Sequence, residues 1–193
     1  MSELTRDPVQ DFKTLMTLLD GTSVVSDDML DWLSHRGFFH APASTKYHGS
    51  YEGGLLDHSM AVTRFLLNLT KDNGLIWQKE RSPYLVGMFH DLCKIDQYRN
   101  PKSGILVDGR EMVNPDAWEY NPDTFLKGHG DKSVMLLSQF FTLTEEEILC
   151  IRYHMGAFVE KGEWRDYTRA VNAYSNVLWT HQADMLASHV AGI

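Results

Sequence analysis

Apolar side chains recur every three or four residues along most of the chain, which is the period of an amphipathic helix. This pattern predicts a first helix over residues 8–19 and a second over residues 26–35. Ser26 is suited to cap the second helix, and Gly37 is suited to stop it. The N-terminal part of the chain is therefore predicted to be helical.

The middle of the chain carries two further helical stripes. One predicted helix covers residues 52–73, and Gly74 follows it as a C-terminal stop. Ser82 and Pro83 form a cap and first-turn pair for the next helix, predicted over residues 84–95.

The C-terminal part continues the helical pattern. Thr144 and Glu147 have the spacing of a capping box, which predicts a helix that ends at Gly156. Three more segments are predicted to be helical: residues 130–140, residues 164–174 as a short helix or turn, and residues 177–190.

Residues 104–113 break the helical pattern. Asp108-Gly109 stands there between two short apolar runs, which is the strongest short-range signal for a β-hairpin. The sequence shows neither a long repeat nor a tract rich in Pro, Gly and Ser that would indicate a linker. We therefore predict a single domain over residues 1–193, folded as a compact all-α helical bundle with one small β-hairpin.

Composition and charge narrow the class of protein. Hydrophobic residues make up 43% of the chain and charged residues 23%, values that are ordinary for a globular protein. The formal net charge of -8 argues against long nucleic acids, which usually bind a basic surface. A small phosphorylated substrate fits better, because bound metal ions can outweigh the sign of the protein surface.

The N-terminal sequence, the lengths of the apolar runs and the number of cysteines predict the cellular compartment. We find no leader-like N-terminus and no apolar run long enough to span a membrane, so we expect a cytoplasmic protein without a membrane partner. Only Cys93 and Cys150 are present, too few for a disulfide framework, and both are expected to be reduced thiols.

The chain contains nine histidines, and seven of them fall into two groups by context. One group lies near helix ends or in a loop, where surface or capping roles are typical: His35, His40 and His48. The other group lies on or beside apolar helical stripes, where a neutral imidazole needs a specific partner: His58, His90, His129 and His154. Several such residues together suggest a site, whereas the His90-Asp91 dipeptide alone could occur by chance.

Three segments with His or Asp on predicted helices follow one another along the chain: GGLLDHSMAV with His58, VGMFHDLCKI with His90 and Asp91, and THQADMLAS with Asp184. This order resembles the H…HD…D signature of the HD-domain superfamily, which includes many metal-dependent phosphohydrolases. The resemblance covers roughly residues 50–190.

The resemblance implies that His58, His90, Asp91 and Asp184 ligate metal, with Asp91 placed to bridge two ions. His129 and His154 extend the pattern to H…HD…H…H…D, which resembles the family members that hold two metals. The alternative for these two histidines is a hydrogen bond to substrate phosphate. Imidazole and carboxylate ligands suit Mn²⁺, Fe, Zn²⁺, Co²⁺ or Ni²⁺.

Two lysines are candidate substrate ligands. Lys94, three residues after Asp91, resembles the lysine that contacts substrate phosphate in many HD hydrolases, although a helix-end cation is the structural alternative. Lys132 can reach the same pocket from the start of its predicted helix, but a structural role fits it better. His181, one helical turn before Asp184, either supports a ligand, replaces one as a ligand itself, or is a surface residue.

These residues predict an enzyme with catalytic Asp91 and Lys94 that hydrolyses a nucleotide or related phosphoester, whether a monoester, a diester or a triphosphate. Two alternatives remain open. The first is a di-iron oxygenase, because some HD-superfamily oxygenases share the same six ligands. The second is a non-catalytic nucleotide-binding module. Lys94 favours hydrolysis over the oxygenase.

Overall fold

The computed structural model describes residues 7–126 and 128–193, and this part of the chain is mostly helical. Its eight α-helices are α1 (Pro8–Leu15), α2 (Asp27–His35), α3 (Gly54–Asn73), α4 (Ser82–Phe89), α5 (Gly130–Leu137), α6 (Glu145–Arg152), α7 (Trp164–Ala173) and α8 (Asn176–Met185). Short 3₁₀ turns cover Leu92–Asp96, Gly156–Phe158 and Lys161–Glu163, and a π-helix covers Leu186–Ala191. The predicted all-α class is confirmed.

Most of the predicted helix caps are present, but Ser82 does not cap α4, because the helix begins at Ser82 itself and its hydroxyl donates to Glu147. The Ser26 hydroxyl accepts a hydrogen bond from the Met29 amide at the start of α2. Thr144 and Glu147 form the reciprocal capping box at the start of α6. Gly74 ends α3 in the left-handed conformation, with φ of 62°, which glycine adopts without steric cost.

The first helix is shorter than the predicted range of residues 8–19. α1 ends at Leu15, and the chain then turns back so that the Leu18 amide donates to the Thr22 carbonyl at 2.8 Å. Thr17 and Ser23 pair across this turn in an antiparallel bridge. The apolar period continues past Leu15, but the backbone of residues 17–23 forms hydrogen bonds across the Asp20-Gly21 turn instead of continuing the helix.

The predicted helix over residues 84–95 is interrupted. α4 ends at Phe89, His90 is its C-terminal cap residue, and Asp91 leaves the helical conformation before the 3₁₀ turn Leu92–Asp96. The last predicted helix changes pitch in a similar way, because the π-helix Leu186–Ala191 follows α8 directly. Single π turns inside helices are common at functional sites.

The predicted β-hairpin is present as β2 (Lys102–Val107) and β3 (Arg110–Val113), which pair antiparallel. Asp108 and Gly109 both have positive φ, as a two-residue type I′ turn requires. A second two-stranded sheet was not predicted. It pairs β1 (Tyr98–Arg99) with β4 (Glu119–Tyr120), and strands of two residues are too short to show a period.

The buried apolar residues form one cluster, in which α3 packs against α4 and α8, and α6 packs against α5 and α8. A group of aromatic rings at its N-terminal side holds α1 against α4, with Phe12 and Phe89 at a centroid distance of 6.2 Å. None of the described helices is both long enough and apolar enough to cross a membrane.

Gly87 controls how closely α3 and α4 approach. A Cβ atom at this position would lie 2.6 Å from the Cα atom of Thr63, so only glycine fits between the two backbones. α3 carries His58, and His90 follows α4, so this contact also sets the separation of two candidate ligands.

We predict that Gly87→Ala lowers the free energy of unfolding by about 1–3 kcal/mol, because the added methyl group forces the helices apart. Gly162→Ala is the matched control, since a Cβ there meets nothing within 4 Å and φ is not positive. The control should stay within about 0.5 kcal/mol of the parent in urea unfolding. A Gly87→Ala protein as stable as the parent would contradict the close contact.

Candidate metal centre

Four predicted ligands meet in the interior of the helical cluster. The Nε2 atom of His58, on α3, lies 3.2 Å from His90 Nε2 and 3.2 Å from Asp184 Oδ1 on α8. The Oδ2 atom of Asp91 lies 3.5 Å from His90 Nε2 and 3.7 Å from His58 Nε2. The donor atoms of His58, His90 and Asp91 all lie within 4.8 Å of one another, close enough to ligate a common ion, and Asp184 forms a similar group with His90 and His154.

The other carboxylate oxygen of Asp91 faces a second group of side chains. Its Oδ1 atom lies 3.5 Å from His154 Nε2, and the His154 ring lies 5.9 Å from the His129 ring, measured between centroids. Asp91 and His129 also offer ligand atoms that come within 4.8 Å of each other and of the Cys93 thiol. Oδ2 of Asp91 therefore faces His58 and His90, and Oδ1 faces His154, whose ring also lies 4.9 Å from the His90 ring.

Backbone carbonyls orient three of the candidate histidines. The Nδ1 atoms of His58, His90 and His154 lie 2.7–2.9 Å from the carbonyl oxygens of Ile193, Gly87 and Ile151, respectively. A carbonyl oxygen can only accept, so each Nδ1 carries the proton, and a neutral ring then has its lone pair on Nε2. Each Nε2 faces the cluster, which is how metal-binding histidines are commonly held.

Two buried atoms of the cluster lack a hydrogen-bond partner: Asp91 Oδ1 and His154 Nε2. They face each other at 3.5 Å without hydrogen-bond geometry, which leaves the desolvation of both uncompensated. His58 and His90 also direct their Nε2 atoms at each other, so that they must either share a proton or bind a common cation. These buried His and Asp side chains could hold a metal ion, and their donor atoms fit a divalent one.

The electrostatics of the cluster favour the ionised carboxylates and the neutral His90 that metal binding requires. Burial raises the pKa of Asp91, but the Lys94 ammonium at 2.7 Å and His90 outweigh burial and hold this pKa well below its usual range. Burial also acts against ionised Asp184, yet the His58 imidazole lowers the Asp184 pKa overall. Burial lowers the pKa of His90. Burial also lowers the pKa of His154, but the contact with Asp91 outweighs burial and raises this pKa. The carboxylates are thus ionised and His90 neutral near neutral pH, as ligands must be.

The two predicted substrate lysines lie in different surroundings. Lys94 is buried, donates to Asp91 Oδ2 and lines a cleft above the cluster. Lys132 is also buried, but its amine binds the Asp96 carboxylate and donates to the Thr124 hydroxyl at 2.8 Å. Lys94 therefore lies beside the candidate ligands, whereas Lys132 is hydrogen-bonded to Asp96 and Thr124 and has a structural role.

A cleft of about 630 Å³ opens onto the cluster, and we call it the first cleft. Asp91, Asp184, Lys94 and His129 contribute to its lining. The remaining lining comes mainly from the loop before α3, from the segment after α6, and from α8 with the π-helix.

Two lining histidines were only weakly indicated by the sequence. His181 also lines the first cleft, and its Nδ1 lies 2.8 Å from the His154 carbonyl, so it supports the backbone of a candidate ligand. His48 was expected at the surface, but it is half-buried with its ring 5.1 Å from the His58 ring. Burial, reinforced by the nearby His58, lowers the pKa of His48 to about 4.

The position of His48 follows from a tight backbone contact. A Cβ at Gly54 would lie 2.1 Å from the Gly49 carbonyl oxygen, so the loop that carries His48 packs directly on the start of α3. In the sequence, only the glycines before His58 (Gly49, Gly53 and Gly54) indicated that two backbone segments come this close together.

No protein-family model matches this chain, and comparisons with curated proteins and with solved structures gave no match.

We predict that Asp91→Asn removes most of the bound metal, because both oxygens of Asp91 serve the cluster and the amide carries no charge. Metal content per chain should be measured after loading with Mn²⁺ or Zn²⁺ and gel filtration. Asp116→Asn, an exposed carboxylate on the segment after the hairpin, is the matched control and should bind as much metal as the parent. Full metal content in Asp91→Asn would refute the site.

We further predict that His129→Ala and His154→Ala each lower the metal stoichiometry from about two ions per chain to about one, since loss of a ligand weakens its own ion most. His35→Ala is the control, because His35 is exposed and hydrogen-bonds only within α2. Circular dichroism should show that all three variants keep their helix content. Unchanged stoichiometry in both cluster variants would reject a second ion held by these residues.

Proposed function

We propose that this protein is a metal-dependent phosphohydrolase that acts on a nucleotide or a related phosphoester, with two divalent ions in the cluster. The observation that supports this most strongly is the position of Asp91. Its carboxylate lies among His58, His90 and His154, one of its oxygens lacks a hydrogen-bond partner, and a buried lysine that lines the first cleft lies beside it. The resemblance to the HD-domain signature supports the same reading.

The ligand set favours first-row transition metals in this proposal. Four imidazoles and two carboxylates suit Mn²⁺, Fe, Zn²⁺, Co²⁺ or Ni²⁺ better than Mg²⁺ or Ca²⁺, which prefer oxygen ligands alone. When bound, such ions polarise a phosphoryl oxygen and lower the pKa of water to near neutrality.

Lys94 has the position that phosphate binding needs. Its ammonium donates to Asp91 Oδ2 at 2.7 Å and also lines the first cleft. An ammonium has three N–H donors, so the donors not used by Asp91 can bind a phosphate oxygen in the cleft. The positive charge of Lys94 also lowers the pKa of Asp91 and so keeps it ionised. Lys94 would therefore assist both metal binding by Asp91 and substrate binding in the cleft.

The first cleft is suited to a small organic phosphate. Its volume of about 630 Å³ falls in the range of ordinary small-molecule pockets. Tyr98, Met155, Phe158 and Met185 give it aromatic and apolar walls, against which a nucleoside base or sugar can pack. The cluster itself is screened from solvent, and Asp184, with 15% of its side chain exposed, opens toward the cleft.

The test is a turnover panel on metal-stripped protein reloaded with Mn²⁺, Fe²⁺, Zn²⁺, Co²⁺ or Ni²⁺. Nucleotides, cyclic nucleotides and 4-nitrophenyl phosphates are the substrates, and Asp91→Asn is the negative control. We expect phosphoester hydrolysis with at least one metal, lost on chelation. Binding of nucleotide without turnover would support the non-catalytic module, and oxygen consumption with a mixed-valent iron signal would support the oxygenase.

We predict that Lys94→Ala lowers kcat/KM by about tenfold to a thousandfold, the scale of one charged contact to the transition state. Metal content should persist, because the ligand set is intact. Lys94→Arg should restore part of the activity, since its planar fork differs from a compact ammonium. Lys102→Ala removes an exposed lysine on the hairpin and should leave kcat/KM unchanged. If Lys94→Ala lost stability but kept normal turnover per folded molecule, Lys94 would have a structural role.

A further inference from the structure

A second cleft of about 500 Å³ adjoins the candidate metal centre at His129. Among the residues that the structure describes, it shares two lining residues with the first cleft, Tyr120 and His129. His129 is a candidate ligand of the second ion. The place where a substrate phosphate would meet the cluster therefore lies between two cavities.

The boundary between the clefts is built by the short sheet that the sequence did not predict. Tyr98 on β1 and Tyr120 on β4 are directly paired, and their ring centroids are 5.3 Å apart. Tyr120 keeps 67% of its surface exposed because it stands between two open spaces. Tyr120 therefore lies at the boundary of the two clefts, with Tyr98 packed against it on the side of the first cleft, so a ligand could place one group on either side of Tyr120.

The chemistry of the second cleft suits an uncharged polar group. Apart from His129, its described lining residues are neutral, and they include Gln97, Asn121 and Thr124. Asn121 is held by the Asp96 carbonyl at 2.9 Å, and Thr124 is held by Lys132, so the wall is already ordered. Further phosphate groups would call for cations in this lining, whereas a sugar or base needs apolar surface and neutral hydrogen-bonding groups.

We propose, resting on the phosphohydrolase function above, that the substrate is a phosphodiester that joins two nucleosides, with one nucleoside in each cleft. A water oxygen forms the new bond to phosphorus, and the bond from phosphorus to one bridging oxygen breaks. That oxygen takes a proton and leaves as an alcohol, and the other product is a phosphomonoester. A monoester substrate would occupy one cleft and leave the other unused.

The test compares adenylyl-(3′→5′)-adenosine with 5′-AMP on the Mn²⁺-loaded enzyme. We expect kcat/KM to be at least about tenfold higher for the dinucleotide, the scale of one additional well-filled subsite. Leu126→Trp places a large ring in the second cleft, which Leu126 lines, and should remove that advantage. Turnover of 5′-AMP should change less than about twofold, because the first cleft is untouched.

Phe125→Trp is the matched control, because Phe125 is the neighbouring residue, is 81% exposed and does not line the second cleft. Pro122→Trp is a second substitution that fills the second cleft and decides the matter if Leu126→Trp fails to fold. Equal kcat/KM for the two substrates, or full dinucleotide turnover in a folded cleft-filling variant, would overturn the two-cleft proposal while the phosphohydrolase function stood. Loss of turnover on every phosphoester of the panel would instead reject the function itself.

Discussion

The ionised carboxylate of Asp91, buried at the centre of the helical cluster, is the constraint on which the rest of the structure depends. A buried charge is costly unless it is paired, and Lys94 at 2.7 Å provides the pair for one oxygen only. The other oxygen has no hydrogen-bond partner and faces the unpartnered Nε2 of His154. A cation between these atoms would compensate both. The same carboxylate thus explains the convergence of histidines and why this cluster could hold a metal ion.

The fold holds this arrangement mainly through its backbone. The contact of Gly87 with Thr63 sets the distance between α3 and α4, and the Gly87 carbonyl also fixes the ring of His90. Carbonyls of Ile151 and Ile193 orient the other two rings in the same way. Ligand geometry is therefore tied to helix packing, so we expect substitutions that shift a helix to weaken metal binding even without touching a ligand.

Much of the helical framework was predictable because its signals are local. Ser26, the Thr144 capping box and the Asp108-Gly109 turn each act within a few residues, and the structure has all three. Contacts between distant segments were not predictable. The β1–β4 pair joins strands of two residues, Lys132 binds Asp96 across 36 positions, and His48 reaches His58 through backbone packing. The order of ligand residues was visible in the sequence, but their shared interior required the fold.

The central claim is that Asp91 bridges two ions. The most direct measurement is anomalous diffraction from crystals of the Mn²⁺-loaded protein, recorded on both sides of the manganese absorption edge. We expect two anomalous peaks, one beside Asp91 Oδ2 among His58, His90 and Asp184, and one beside Oδ1 near His129 and His154. A saturated crystal with one peak or none within ligand distance of Asp91 would show that Asp91 does not bridge two ions.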